Sequence, residues 1–144
     1  MKFRHLDLKW YDQTRDLLAG CGCRFLGDFE NVSLKGTWND FRTFIRALVT
    51  SDGAASIGLF HPKPKWWLRI VFWILRIKLG KIIDCESELS DGTYIVTTNA
   101  MEAAKLQPPP GFDNEFFPHD TAPEVVCEAH VNRLSDYLAS HPGR

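Results

Sequence analysis

Two Asp-Gly pairs, Asp52-Gly53 and Asp91-Gly92, each follow a serine and each separate two strand-like runs. Ahead of the first, Phe41, Thr43, Ile45, Ala47 and Val49 share one side, and Arg42, Phe44, Arg46 and Leu48 the other. An apolar run from Ala54 to Phe60 follows it. Ahead of the second, Ile83, Cys85, Ser87 and Leu89 alternate with Asp84, Glu86 and Glu88, and Thr93 to Asn99 returns as a β-branched run. A period of two is the signature of a strand with one buried face. Asp-Gly joins such strands because both central positions of a type I′ turn require positive φ. The repeated Ser-Asp-Gly device hints at an internal duplication, although Asp-Gly is also simply a favoured hairpin turn.

Helices are expected at both ends. Leu6, Trp10, Leu17 and Leu18 fall at helical spacing up to Ala19, with Gly20 as the stop, and Cys23 to Phe29 reads as a short extra strand. Residues 100–120 form a Pro-rich loop, with one helical turn at Met101–Leu106 before Pro108-Pro109-Pro110 enforces extended chain. Thr121-Ala122-Pro123-Glu124 has the pattern of a capping box. The helix it opens runs to about Ser140, with Cys127, Val131, Leu134 and Leu138 as the expected buried stripe. The chain of 144 residues is therefore expected to be one α+β domain, large enough to bury a core unaided. Its expected architecture is an antiparallel sheet of two Asp-Gly hairpins plus an extra strand, flanked by N- and C-terminal helices.

Between the hairpins lies a segment of different character. Residues 61–81 hold three of the five tryptophans, six of the seventeen Lys and Arg, and no acid. Elsewhere eleven basic residues face eighteen acidic ones, so a net charge of −1 conceals a sharp separation. Placed on a helix, Lys65, Arg69 and Arg76 fall in a stripe about 40° wide, while Trp66, Trp67, Ile70, Val71, Trp73, Ile74 and Ile77 cover most of the remainder. The apolar run would rise roughly 21 Å, short of the roughly 30 Å bilayer core, which suits a helix lying in the interface. On this reading Lys65, Trp66, Trp67, Arg69, Trp73, Arg76, Lys78 and Lys81 bind an anionic membrane surface. Two alternatives compete with it. The alternation of Leu75-Arg76-Ile77-Lys78-Leu79 allows a buried strand from Val71 to Leu89. Trp and Arg are also enriched at protein interfaces, which would make the segment a protein-partner or homodimer surface. A nucleic-acid partner is not expected, because the basic residues are interleaved with bulky aliphatics.

Chemical motifs are weak. Cys21-Gly22-Cys23 lacks two further metal ligands and the spacer of a redox motif, so small residues at a helix-to-strand turn are expected. Cys85 and Cys127 fall at core-facing positions, and the four cysteines are expected to be reduced in a cytoplasmic protein. The N-terminus has no secretory h-region, and no stretch reaches the length of a membrane span. His130 lies one position from the expected stripe, and His119-Asp120 is a loop pair. The acidic row Asp84, Glu86, Glu88 and Asp91 is expected to be a solvated edge. The rival function is a soluble small-ligand-binding protein or enzyme with its pocket between the sheet and loop 100–120, and Tyr94, Thr98, Asn99 and His119 as its expected polar contacts. No catalytic group, metal site or cofactor is expected.

Overall fold

The computed structural model describes residues 6–31, 43–62, 66–76, 80–100 and 108–142. In chain order the elements are α1 (Leu8–Gly20), β1 (Arg24–Asn31), β2 (Thr43–Val49), β3 (Ser56–Phe60), α2 (Trp66–Ile74), β4 (Ile82–Glu88), β5 (Tyr94–Thr98), β6 (Phe112–Phe116) and α3 (Pro123–Ser140). The six strands form one sheet in sequential order. Strands β1 to β5 are antiparallel neighbours, and β6 joins β5 in parallel. The fold is α+β, as the alternating runs require.

The turns carry the expected glycines in a different geometry. Gly53 and Gly92 take φ of +74° and +81°, but neither Asp52 nor Asp91 has positive φ. The amide of Gly53 instead bonds the carbonyl of Thr50, and that of Gly92 the carbonyl of Leu89. Each hairpin thus closes by an i to i+3 turn ending in a left-handed glycine, rather than by type I′. The Asp side chains explain the choice, since Asp52 accepts from the Ala54 amide at 3.0 Å and Asp91 from Thr93 at 3.0 Å.

Helix α1 is capped by Asp7, whose Oδ1 accepts from the Trp10 amide at 3.1 Å. Its C-terminus is a Schellman motif. Gly22 donates to Ala19 and Cys23 to Leu18, with Gly22 at φ +89°. The left-handed glycine is therefore Gly22 rather than Gly20, and Cys21-Gly22-Cys23 makes the helix-to-strand turn.

Tyr11 and Leu18 of α1 and Val126 of α3 pack with Leu48, Ile57, Leu59, Ile83 and Cys85 to form the core. Burial on α3 differs from expectation by one residue. Val126, His130 and Leu134 are buried, whereas Val131 and Leu138 are exposed. The helix begins at Pro123 with Ala122 at the N-cap and no side-chain cap, so the Thr121–Glu124 box does not form. Another correction is β6, which lies inside the expected loop. Phe112 stacks on Tyr94 with centroids 4.7 Å apart. Arg133 on α3 pairs with Asp113 at 3.0 Å and Glu115 at 3.3 Å. Aromatic contact on one face and ion pairs on the other hold a strand whose sequence has little intrinsic β preference.

One charged side chain is built into this core. Arg46 on β2 is 7% exposed and forms a two-point pair with Asp28 of β1, at 2.8 and 3.0 Å. It also donates to Asp12 of α1 at 2.6 Å. Three elements thereby meet at one guanidinium, whose planar fork suits two carboxylates at once.

Candidate functional site

The acid-free segment leaves the sheet after Phe60 and returns at Ile82, which are register partners on β3 and β4. It is an excursion between two paired strands, so its ends are fixed and its middle lies beyond the sheet. His61 and Pro62 lead out, and Gly80 and Lys81 lead back. Asn99 clamps the return. Its Oδ1 accepts from the Ile83 amide at 2.9 Å, and its Nδ2 donates to the carbonyls of Lys81 and His119, both at 3.1 Å. Lys81 adds a 2.6 Å bond to Asp7 and lies over the Trp10 ring at 5.6 Å. That ion pair holds the Asp7 carboxyl below its ordinary range.

Within the excursion, residues 66–74 are helical, which overturns the strand reading for Val71–Ile74. Nine residues rise about 13 Å. Among the described residues, no helix is long and apolar enough to cross a membrane. Trp66 and Trp73 are 75% and 80% exposed, and Ile70, Val71, Ile74 and Leu75 are exposed as well. Trp66, Arg69, Ile70 and Trp73 fall at i, i+3, i+4 and i+7, so they share one face and line a shallow groove. Phe72 is half-buried. The helix ends where Leu75 bonds Val71 and Arg76 bonds Trp73, with Arg76 in left-handed backbone at φ 54°. Exposed aromatic and aliphatic area on this scale is uncommon on a protein that meets only water.

The structure brings Trp66, Trp67, Arg69 and Trp73 onto this one helix, with Arg76 in the turn two residues past its end. Lys81 is instead engaged at its base, and Lys65 and Lys78 lie outside the described residues. The predicted site lacked Ile70, Ile74 and Leu75, which present further apolar surface beside the tryptophans; their position in an acid-free run was the available signal.

The residues expected around a small ligand divide. Asn99 and His119 meet, but through a hydrogen bond that saturates the Asn99 donors. Thr98 donates to the Ile83 carbonyl at 3.0 Å, and Tyr94 lies at the opposite end of β5. Residues 101–107 of the expected loop lie outside the described residues.

A serine–histidine pair also occurs in the core, missed because His130 was placed at a boundary. His130 is 1% exposed, with Nε2 2.9 Å from Ser87 Oγ and Nδ1 3.0 Å from Thr97 Oγ1. Ser87 donates its proton to the Ala54 carbonyl at 2.7 Å, so it accepts from Nε2–H. Arg133 donates to Thr97 at 2.7 Å, leaving the threonine proton for Nδ1. The proton order runs away from a nucleophile–base pair, in which the serine would donate to the imidazole. Burial, with Arg133 nearby, holds the imidazole neutral down to about pH 4.

The acidic row is not a uniformly solvated edge. Burial, aided by Glu86, pushes the Asp84 carboxyl up to about 6. Among the described residues no group of His, Cys, Asp and Glu is arranged to hold a metal. No family model, curated protein or solved structure matches the chain.

Proposed function

We propose that this protein docks peripherally on an anionic membrane surface through the excursion centred on α2. The observation that carries this reading is the exposure of Trp66 and Trp73, 75% and 80%, on a helix within an acid-free segment. A nine-residue helix is marginal in water by itself, and burying its apolar face in a headgroup layer would stabilise it. Tryptophans favour that depth because their rings are apolar and their N–H groups polar. Arg69 on α2 and Arg76 just past its end would reach phosphates, and Lys63, Lys65 and Lys78 flank them in sequence. Each basic group near an anionic leaflet contributes about 1 kcal/mol. The acidic remainder of the chain would be repelled, which orients the sheet away from the lipid. Four free thiols suit a reducing compartment, so the inner, cytoplasmic leaflet is the surface this reading favours.

The test is flotation of the purified protein with vesicles of neutral phosphatidylcholine, or of phosphatidylcholine containing phosphatidylserine, at low and high salt. Binding should follow phosphatidylserine content, weaken in salt, and fall more than tenfold with Trp73→Ser combined with Arg76→Glu. A protein that ignores both vesicles and sediments as a stable dimer would overturn the reading and identify a second copy as the occupant. A vesicle-indifferent monomer whose stability rises with a small metabolite would do so in favour of a soluble ligand-binding protein.

A further inference from the structure

All four cysteines, drawn from three parts of the sequence, line one cavity of about 320 Å³ between α3 and the sheet. Cys21 and Cys23 come from the Schellman turn, Cys85 from β4 and Cys127 from α3. Their exposure is graded from the mouth inward. Cys21 is exposed, Cys23 and Cys127 are half-buried, and Cys85 is buried. At the inner end Cys85 Sγ and Cys127 Sγ are 3.4 Å apart, within hydrogen-bond distance for sulfur. They are 42 residues apart in sequence, so the fold alone creates the pair.

We propose that Cys127 is a thiol–disulfide exchange site, with Cys85 as its resolving thiol and a small, uncharged disulfide as co-reactant. Three observations support this order of events. Both sulfurs border the cavity, but Cys127 is half-buried and Cys85 only 1% exposed, so an incoming disulfide meets Cys127 first. The two sulfurs are close enough for the second displacement without a change of fold. Hydrogen bonding between the two sulfurs lowers the Cys127 thiol and raises that of Cys85, which agrees with the order that their exposure sets. Cys23 is a poorer nucleophile because burial pushes it up to about 11.

The chemistry balances as two displacements. The Cys127 thiolate attacks one sulfur of RS–SR, forming Cys127–S–SR and releasing RS⁻, which takes up a proton from water. The Cys85 sulfur then attacks the Cys127 sulfur and releases the second RS⁻, which accepts the Cys85 proton. Two protein thiols are oxidised to one disulfide, and RS–SR is reduced to two RSH. The product staples α3 to β4 across the core, and free thiols restore the open pair. Such reversible cross-links are how disulfides most often occur in reducing compartments.

The experiment uses the full chain under native conditions with 2-hydroxyethyl disulfide, quenched by N-ethylmaleimide and mapped by peptide mass spectrometry. The expected product is a Cys85–Cys127 cross-link with loss of two hydrogens. Cys85→Ser should instead accumulate a hydroxyethyl-thio adduct on Cys127. Cys21→Ser should leave the cross-link unchanged. Modification confined to Cys21, or a cross-link between Cys23 and Cys127, would overturn the assignment. If Cys85→Ser does not fold, the cross-link map of the unsubstituted protein decides the question on its own.

Discussion

His130 donates its Nε2 proton to Ser87 across 2.9 Å, inside a core where the imidazole is 1% exposed. The histidine is therefore held neutral, with a pKa of about 4 against 6.5 for the free side chain. Between those values the unfolded chain binds the extra proton, so this group destabilises the fold as pH falls from 6.5 to 4. Asp84 acts in the opposite sense. Its carboxyl is raised to about 6, so from about pH 4 to 6 it is the folded state that binds the extra proton. Each contribution is on the order of 3 kcal/mol. Urea denaturation of the parent protein should thus vary little between pH 4.5 and 6. Asp84→Asn should expose the histidine's acid sensitivity, with stability falling by about 1.5 to 2 kcal/mol over that range. A flat profile in Asp84→Asn would show that His130 carries no such penalty.

Removing the Asn99 amide should loosen the root of the excursion. Asn99→Ala loses three hydrogen bonds and leaves the Ile83 amide with no side-chain acceptor in their place. The cost should be about 3 kcal/mol, at roughly 1 kcal/mol per bond. Asn99→Asp retains only the acceptor and turns a carboxylate oxygen towards two carbonyls, so it should be no better. Chemical denaturation measures the loss, and faster hydrogen exchange at Ile83 would locate it.

These two sites show how far the sequence could be read. The hairpins were legible because Asp52-Gly53 and Asp91-Gly92 interrupt runs with a period of two, and burial on β4 follows that period. Strand β6 was not, because Phe-Asp-Asn-Glu-Phe becomes a strand only through Tyr94 stacking and Arg133 pairing. The buried stripe of α3 was displaced by one position because His130 was counted as polar. Its hydrogen bonds to Ser87 and Thr97 come from strands far away in sequence. The same distance hid the Cys85–Cys127 pair. The excursion was legible as a segment but not as a helix, since Leu75 to Leu79 alternates like a strand.

Arg46 should be harder to replace than its charge suggests. It joins Asp28, Asp12 and the rings of Tyr11 and Phe25, whose centroids lie 5.6 and 5.7 Å away. Arg46→Lys keeps a cation but loses the two-point geometry and the flat contact, and should cost about 1 to 2 kcal/mol. Arg46→Met fills the volume while Asp12 and Asp28, 53% and 36% exposed, regain water. That loss should be about 2 kcal/mol, below the 3 to 5 of a fully buried pair. Thermal denaturation of both variants would check the order, and a more stable Arg46→Met would refute a net favourable role for the ion cluster.

Arg76 separates helix stability from membrane affinity. Its backbone is left-handed at φ 54°, a conformation that costs a residue with a Cβ about 1 kcal/mol and glycine almost nothing. Arg76→Gly should therefore strengthen the end of α2 and slow amide exchange at Leu75, which bonds Val71 at 2.9 Å, by about fivefold. The same change removes one cation, so affinity for phosphatidylserine vesicles should fall by about fivefold. Arg76→Lys keeps both the charge and the strained backbone, and should leave exchange and affinity near those of the parent. Tighter vesicle binding by Arg76→Gly would mean that helix order, not charge at this position, limits docking.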